Sequence, residues 1–375
     1  MKKMGCPILI LIFLFILTAC NANDLIDMDG AHATSEDIIK PSVKYVKDVD
    51  VVNTHGSIKG LESMQNFYDN LQNGISSDLR IVHYTIEGDP IVTDLKYKED
   101  TVKVTYDSTR DKFGNGEIKT FTCTDLLEEI NPTNTNYIAT GCSDGLSGMV
   151  QILAIEYDLQ RQDLFEIELK YGKNLENEVN TKTKEATEVI NSKEARSTSD
   201  FQLSSKVKQE VYKLLITANY LGDIELNSNC HSEEFKEYYL KVYINGGERE
   251  FHWSSCDQSS DSAKFTEIAE YIITQSEMKQ DENPETVIQG YILQVNDETL
   301  LIGVDLNIIQ YEWLKDEIQN IDFGSYVFDF ISLEGANTNE FKIGDKVEAI
   351  IKGTITGSTP GRAYVKDIKK IYITK

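Results

Sequence analysis

Positive charge is scarce in this sequence. Its 37 Lys and Arg stand against 62 Asp and Glu, a formal net charge of -25 at pH 7. Such a surface repels phosphate backbones, which argues against nucleic acid as a partner. It also repels anionic lipid headgroups, so a membrane would have to hold the chain by other means. Long apolar runs are missing too. After Ala19 none reaches the about 20 residues that a spanning helix needs. Chemistry-bearing motifs are equally thin: there is no C-x-x-C, no G-x-x-x-x-G-K-[ST], no H-E-x-x-H and no G-x-S-x-G. Gly114-Asn115-Gly116 lacks the third glycine and the following helix of a dinucleotide loop, and Asp107 and Asp111 fall short of calcium-loop spacing. No cofactor, metal or catalytic residue is therefore assigned.

What is present begins at the N-terminus. Lys2 and Lys3 precede an unbroken apolar run from Ile8 to Leu17, and Leu17-Thr18-Ala19-Cys20 closes it. A charged start, a short apolar core and small residues at the end make a secretory signal, residues 1–19. The last four positions resemble the bacterial lipobox. That resemblance implies cleavage before Cys20 and a diacylglycerol on its sulfur, hence a lipid-anchored protein on the extracytoplasmic face of the cell membrane. Residues 20–47, polar and acidic, read as a flexible tether.

At 375 residues the body should divide into two or three domains. The expected class is α+β and multi-domain. Residues 48–172 open with a helical stripe, Ile58, Leu61, Met64, Phe67, Tyr68 and Leu71, with Gly74 as its C-cap. Alternating strands follow, ending in Phe165–Tyr171, so this unit reads as one helix on an antiparallel meander. Residues 173–200, rich in Lys, Glu, Asn and Thr, read as a linker. Residues 201–280 read as a helix–hairpin–helix unit around the Asn245-Gly246-Gly247 turn, with Asp261 available to cap the closing helix. Residues 285–375 give about five strands with an inserted helix, the pattern of a small OB-like β-barrel.

Asp50–Gly56, Tyr84–Pro90 and Tyr106–Gly114 together resemble an uncharacterised domain of lipoproteins from spore-forming Gram-positive bacteria. Gly290–Leu293, Phe341–Val347 and Ser358–Pro360 resemble a second such domain. Both resemblances imply location and modularity, and neither implies an activity.

Beyond Cys20 the mature chain keeps Cys123, Cys142, Cys230 and Cys256. An even number in an exported protein points to disulfides, and proximity favours Cys123–Cys142 and Cys230–Cys256. Cys230, His231, His252 and Cys256 are also zinc-ligand types. Adjacent side chains on an extended segment point to opposite faces, however, so the disulfide is preferred. His55 and His83 lie near Asp50 and Glu87 in the sequence, which a chain this acidic produces by chance. Arg110 and Asp111 read either as a ligand-reading loop or, more simply, as a turn closed by an ion pair. Trp253 and Trp313 read as the lining of a groove or, more simply, as core.

The expected function is a membrane-anchored lipoprotein that binds or senses a small ligand or an envelope protein without catalysis. Its alternatives are an extracytoplasmic hydrolase using unrecognised carboxylates and a structural or inhibitory partner of another envelope protein.

Overall fold

The computed structural model describes residues 45–191, 193–229, 235–277, 285–318, 323 and 327–372. The signal segment 1–19, Cys20, most of the 20–47 tether, and Cys230 and His231 lie outside the described residues.

The first sheet starts with a short hairpin, β1 (Val51–Thr54) and β2 (Ser57–Lys59), followed by α1 (Leu61–Gln72). Met64, Phe67 and Leu71, at helical spacing, are the buried face of α1. The helix stops where Gly74 takes a φ of 69° and its N–H bonds the Leu71 carbonyl, as the sequence suggested. Then come β3 (Ser77–Tyr84), β4 (Pro90–Lys98), β5 (Thr101–Asp107) and β6 (Ile118–Cys123), in the order β2-β1-β3-β4-β5-β6. The expected antiparallel meander needs correction at one seam. β1 runs parallel to β3, with Val51 opposite Ile81, because α1 acts as the crossover that a parallel pair requires.

A separate three-stranded sheet follows: β7 (Asp125–Ile130), β8 (Asn134–Thr140) and β9 (Met149–Glu156). The Cys123–Cys142 disulfide joins the end of β6 to the segment after β8, so it ties these two sheets together.

The third sheet changes two expectations. Its strands are β10 (Phe165–Gly172), β11 (Asn177–Asn180), β12 (Glu185–Asn191), β13 (Glu194–Ser199) and, after α2 (Ser205–Thr217), the hairpin β14 (Glu237–Ile244) and β15 (Gly247–Ser254), closed by α3 (Ser260–Glu277). The order is β13-β12-β11-β10-β14-β15. Residues 173–200 are thus three strands, not a linker. Most of β12 and all of β13 stay exposed, so they need no apolar face and carry none to betray them. Nor does 201–280 stand as a separate helix–hairpin–helix unit, because β14 pairs with β10 along its whole length. A lone hairpin is marginal in water, and this one completes a sheet begun by the preceding segment. Ser204 caps α2 through Val207 N–H. At α3 the Ser259 hydroxyl accepts from Ser262 N–H, while Asp261, the expected cap, accepts from Glu225 N–H. One continuous core joins α1, α2 and α3 to all three sheets.

The remaining strands, β16 (Thr286–Val295), β17 (Thr299–Val304), β18 (Phe330–Glu334), β19 (Lys346–Lys352) and β20 (Gly361–Lys370), close into a ring in the order β16-β17-β18-β20-β19. Ile288, Ile292, Leu300, Ile302, Leu333, Val347 and Ala349 fill it. The alternate residues Tyr291, Leu293 and Leu301 face outward onto α4 (Ile308–Leu314).

Candidate functional site

The most concentrated buried chemistry lies where β7 and β8 meet the five-stranded ring. Alternation along the strands sets it up. Glu129 on β7 pairs with Asn136 on β8, and Asn134 lies two residues back on that same face. Glu129 is 0% exposed. Its Oε1 accepts from the Tyr291 hydroxyl at 2.7 Å and from Lys346 Nζ at 2.7 Å, and its Oε2 accepts from the Ile308 N–H at 2.7 Å. The Lys346 side chain is itself 5% exposed and its ammonium lies 5.4 Å from the centre of the Tyr291 ring. Burial, and then the Glu129 charge, push the Tyr291 phenol far above its ordinary value.

An amide chain extends this pair. Asn134 Oδ1 accepts from Asn131 Nδ2 at 2.9 Å and from Asn136 Nδ2 at 2.6 Å. Asn136 Oδ1 in turn accepts from Asn307 Nδ2 at 3.0 Å. Asn307 opens α4 with a capping box shared with Gln310. Next to it, Asp305 holds a left-handed backbone, φ 53°, and its carbonyl accepts from Asn134 Nδ2 at 3.1 Å. Thr133 Oγ1 donates to Asp305 Oδ2 at 2.9 Å, whereas Oδ1 of Asp305 and Oδ1 of Asn131 are buried with no hydrogen bond. Burial pushes the Asp305 carboxyl up to about 6, against the Thr133 hydroxyl, which pulls it down.

Both oxygens of Glu129 are occupied within the fold, so the pair with Lys346 acts as a lock between strands. Asp305 is the place where a proton equilibrium is open near neutrality.

The residues singled out from sequence lie elsewhere. Arg110 and Asp111 sit in the β5–β6 loop, where Asp111 Oδ1 accepts from Phe113 N–H at 3.0 Å and Asp107 Oδ1 from Thr109 N–H at 2.9 Å. Side-chain-to-backbone turns therefore close this loop. His83 is drawn below its ordinary value by burial and hydrogen-bonds the Ile152 backbone, while His55 lies in the β1–β2 turn at φ 50°. His252 meets the Tyr239 ring edge-on. Cys256 is disulfide-bonded. Among the described residues no group of three or more His, Cys, Asp or Glu could hold a metal ion. Trp253 is fully buried, stacked on Tyr238 and donating to Thr266 Oγ1, whereas Trp313 is half exposed beside Phe328. No helix of the described residues is long and apolar enough to cross a membrane.

Sequence patterns did not single out Glu129, Lys346, Tyr291, Asp305 or Asn307. The available signal was the spacing of Asn134 and Asn136, two amides on one face of a strand.

Two segments match known families. Residues 48–138 match the one described as Domain of unknown function (DUF4362), and residues 289–371 the one described as Protein of unknown function (DUF3221). The lock therefore spans both, with Glu129 in the first segment and Tyr291 and Lys346 in the second. No curated protein matches the chain. Two solved structures of YobA from Bacillus subtilis are similar to part of it. A solution structure of YobA residues 21–120 is 18% identical, covers 25% of this chain and 89% of its own, and has a TM-score of 0.20. A crystal structure is 20% identical, covers 24% of this chain and 100% of its own, and also has a TM-score of 0.20.

Proposed function

We propose that this chain is a lipid-anchored lipoprotein on the extracytoplasmic face of the cell membrane, whose body binds or senses an envelope protein or small ligand without catalysis. The observation that carries the binding reading is the lock itself. The fully buried carboxylate Glu129 is committed to Tyr291, Lys346 and Ile308, so it fixes the relative placement of two segments rather than acting on a substrate. A fixed pairing of modules is what a recognition surface needs, since ordering is then complete before a partner arrives. Leu17-Thr18-Ala19-Cys20 supplies the anchor. For the ring, its cyclic order supports an OB-type barrel, a fold that binds extended ligands; that step is analogy from architecture. Cys230 is proposed as the partner of Cys256.

The hydrolase alternative has one observation in its favour. Burial raises the carboxyl of Asp305, which sits at the junction.

Crosslinking the lipoprotein in intact cells, with Cys20→Ala as control, tests the main reading. A specific partner recovered only with the lipidated chain is expected. Recovery of none above the control overturns it, and lipid label on the Cys20→Ala chain overturns the anchor.

A further inference from the structure

Three large apolar side chains stand exposed at one end of the first sheet. Ile86 is 88% exposed, Phe113 76% and Ile118 63%. Their common location follows from register. Tyr84 opposite Pro90 and Asp107 opposite Ile118 close the same end of the sheet, and the Ile86 turn and the Phe113 loop extend from it. Both loops are braced from below. Asp89, buried, accepts from Lys112 N–H at 3.3 Å, and buried Ser108 holds Glu117 through N–H and carbonyl alike. The apolar tips are therefore held outward by a polar base and cannot fold back into the core.

The path of the chain says what faces them. Arg80, Val82 and Tyr84 share the face of β3 opposite α1. Lys47 lies over Arg80, its carbonyl accepting from Arg80 Nη1, while Val46 packs on Val82 and Val92. Traced backward from Lys47 to Val46, the chain thus runs toward the Tyr84 end of the sheet. Cys20 lies 25 positions before Tyr45 in the sequence.

We propose that this rim enters the lipid surface to which the chain is tethered, as a second, non-covalent membrane contact. The proposal rests on the lipid-anchor reading above. Arg110 and Lys112 beside Phe113 are outnumbered by Glu87, Asp89, Asp107, Asp111 and Glu117, so insertion depends on apolar burial and anionic lipid opposes it. Covalent anchoring at Cys20 makes a contact too weak for free protein sufficient, because the membrane is then held near the chain.

The test uses the full lipidated chain carrying Phe113→Trp, with Ile86→Trp as a second variant, in phosphatidylcholine vesicles brominated on their acyl chains. Mass at Cys20 reports lipidation. Emission from Trp253 and Trp313, measured in the parent chain, is subtracted and also reports folding. A blue shift and a loss of roughly half the added emission, not strengthened by anionic lipid, are expected for a residue sunk about 5–10 Å into the interface. Unquenched emission from both variants with Cys20 lipidated overturns the rim while leaving the anchor standing, and assigns the surface to a protein partner. Absence of lipid on Cys20 overturns the anchor and the proposal together.

Discussion

The Glu129 junction and the Phe113 rim break the same burial rule in opposite directions. At the junction a carboxylate and an ammonium are buried, and at the rim aromatic and aliphatic side chains face water. Charge is almost never buried unless paired, and the junction pairs it across 217 residues of sequence. The rim has no such internal compensation. The polar inversion is therefore resolved within the chain and should be essential to stability, whereas the apolar one is resolved outside it and should not matter to the isolated fold.

The largest effect should come from breaking the lock. Lys346→Met leaves Glu129 buried without its cation, and a loss of about 3–5 kcal/mol in urea unfolding is expected. A loss under about 1 kcal/mol would place the junction among ornamental surface pairs. Next is the bond that ties rim sheet to junction sheet. Replacing Cys123 and Cys142 by Ser should cost about 3 kcal/mol, read the same way, because the unfolded chain regains the freedom of a closed loop.

Asp305 should act in the opposite sense. The folded protein holds its proton more tightly than the unfolded chain, with the carboxyl at about 6 rather than 3.8. Raising the pH from about 4 to above 6 therefore removes stability, and the deficit is complete above 6. Asp305→Asn keeps a residue tolerant of φ 53° and removes the charge, so it should gain about 2 kcal/mol at pH 8 and flatten the pH profile. Destabilisation at pH 8 would contradict this. The smallest effect belongs to the rim: Ile86→Ser with Phe113→Ser should leave the free energy of urea unfolding within about 0.5 kcal/mol of the parent. A larger loss would mean that those tips pack against the fold after all.

Periodicity made the helices and most strands legible. The stripe Met64, Phe67, Leu71 and the alternation Val102, Val104 each bury one face against a continuous core, and that pattern is local. Legibility failed where burial was polar or exposure two-sided. Asn134-Thr135-Asn136 looks like loop, yet β8 is buried over nearly its whole length because its amides bond to one another and to Asn307. Glu185–Ser199 looks like linker because strands wet on both faces have no hydrophobic period to detect.

The sequence alone determined the apolar run from Ile8 to Leu17, the even set of cysteines after Cys20, the acidic balance and the α+β character, since each is written in composition or in spacings of a few residues. Tertiary structure alone decided the parallel seam of β1 and β3, the grafting of the β14–β15 hairpin onto β10, and the meeting of Glu129 with Lys346. Those depend on contacts between distant segments, and whether a charge ends in water or in a core is set by the partner that reaches it.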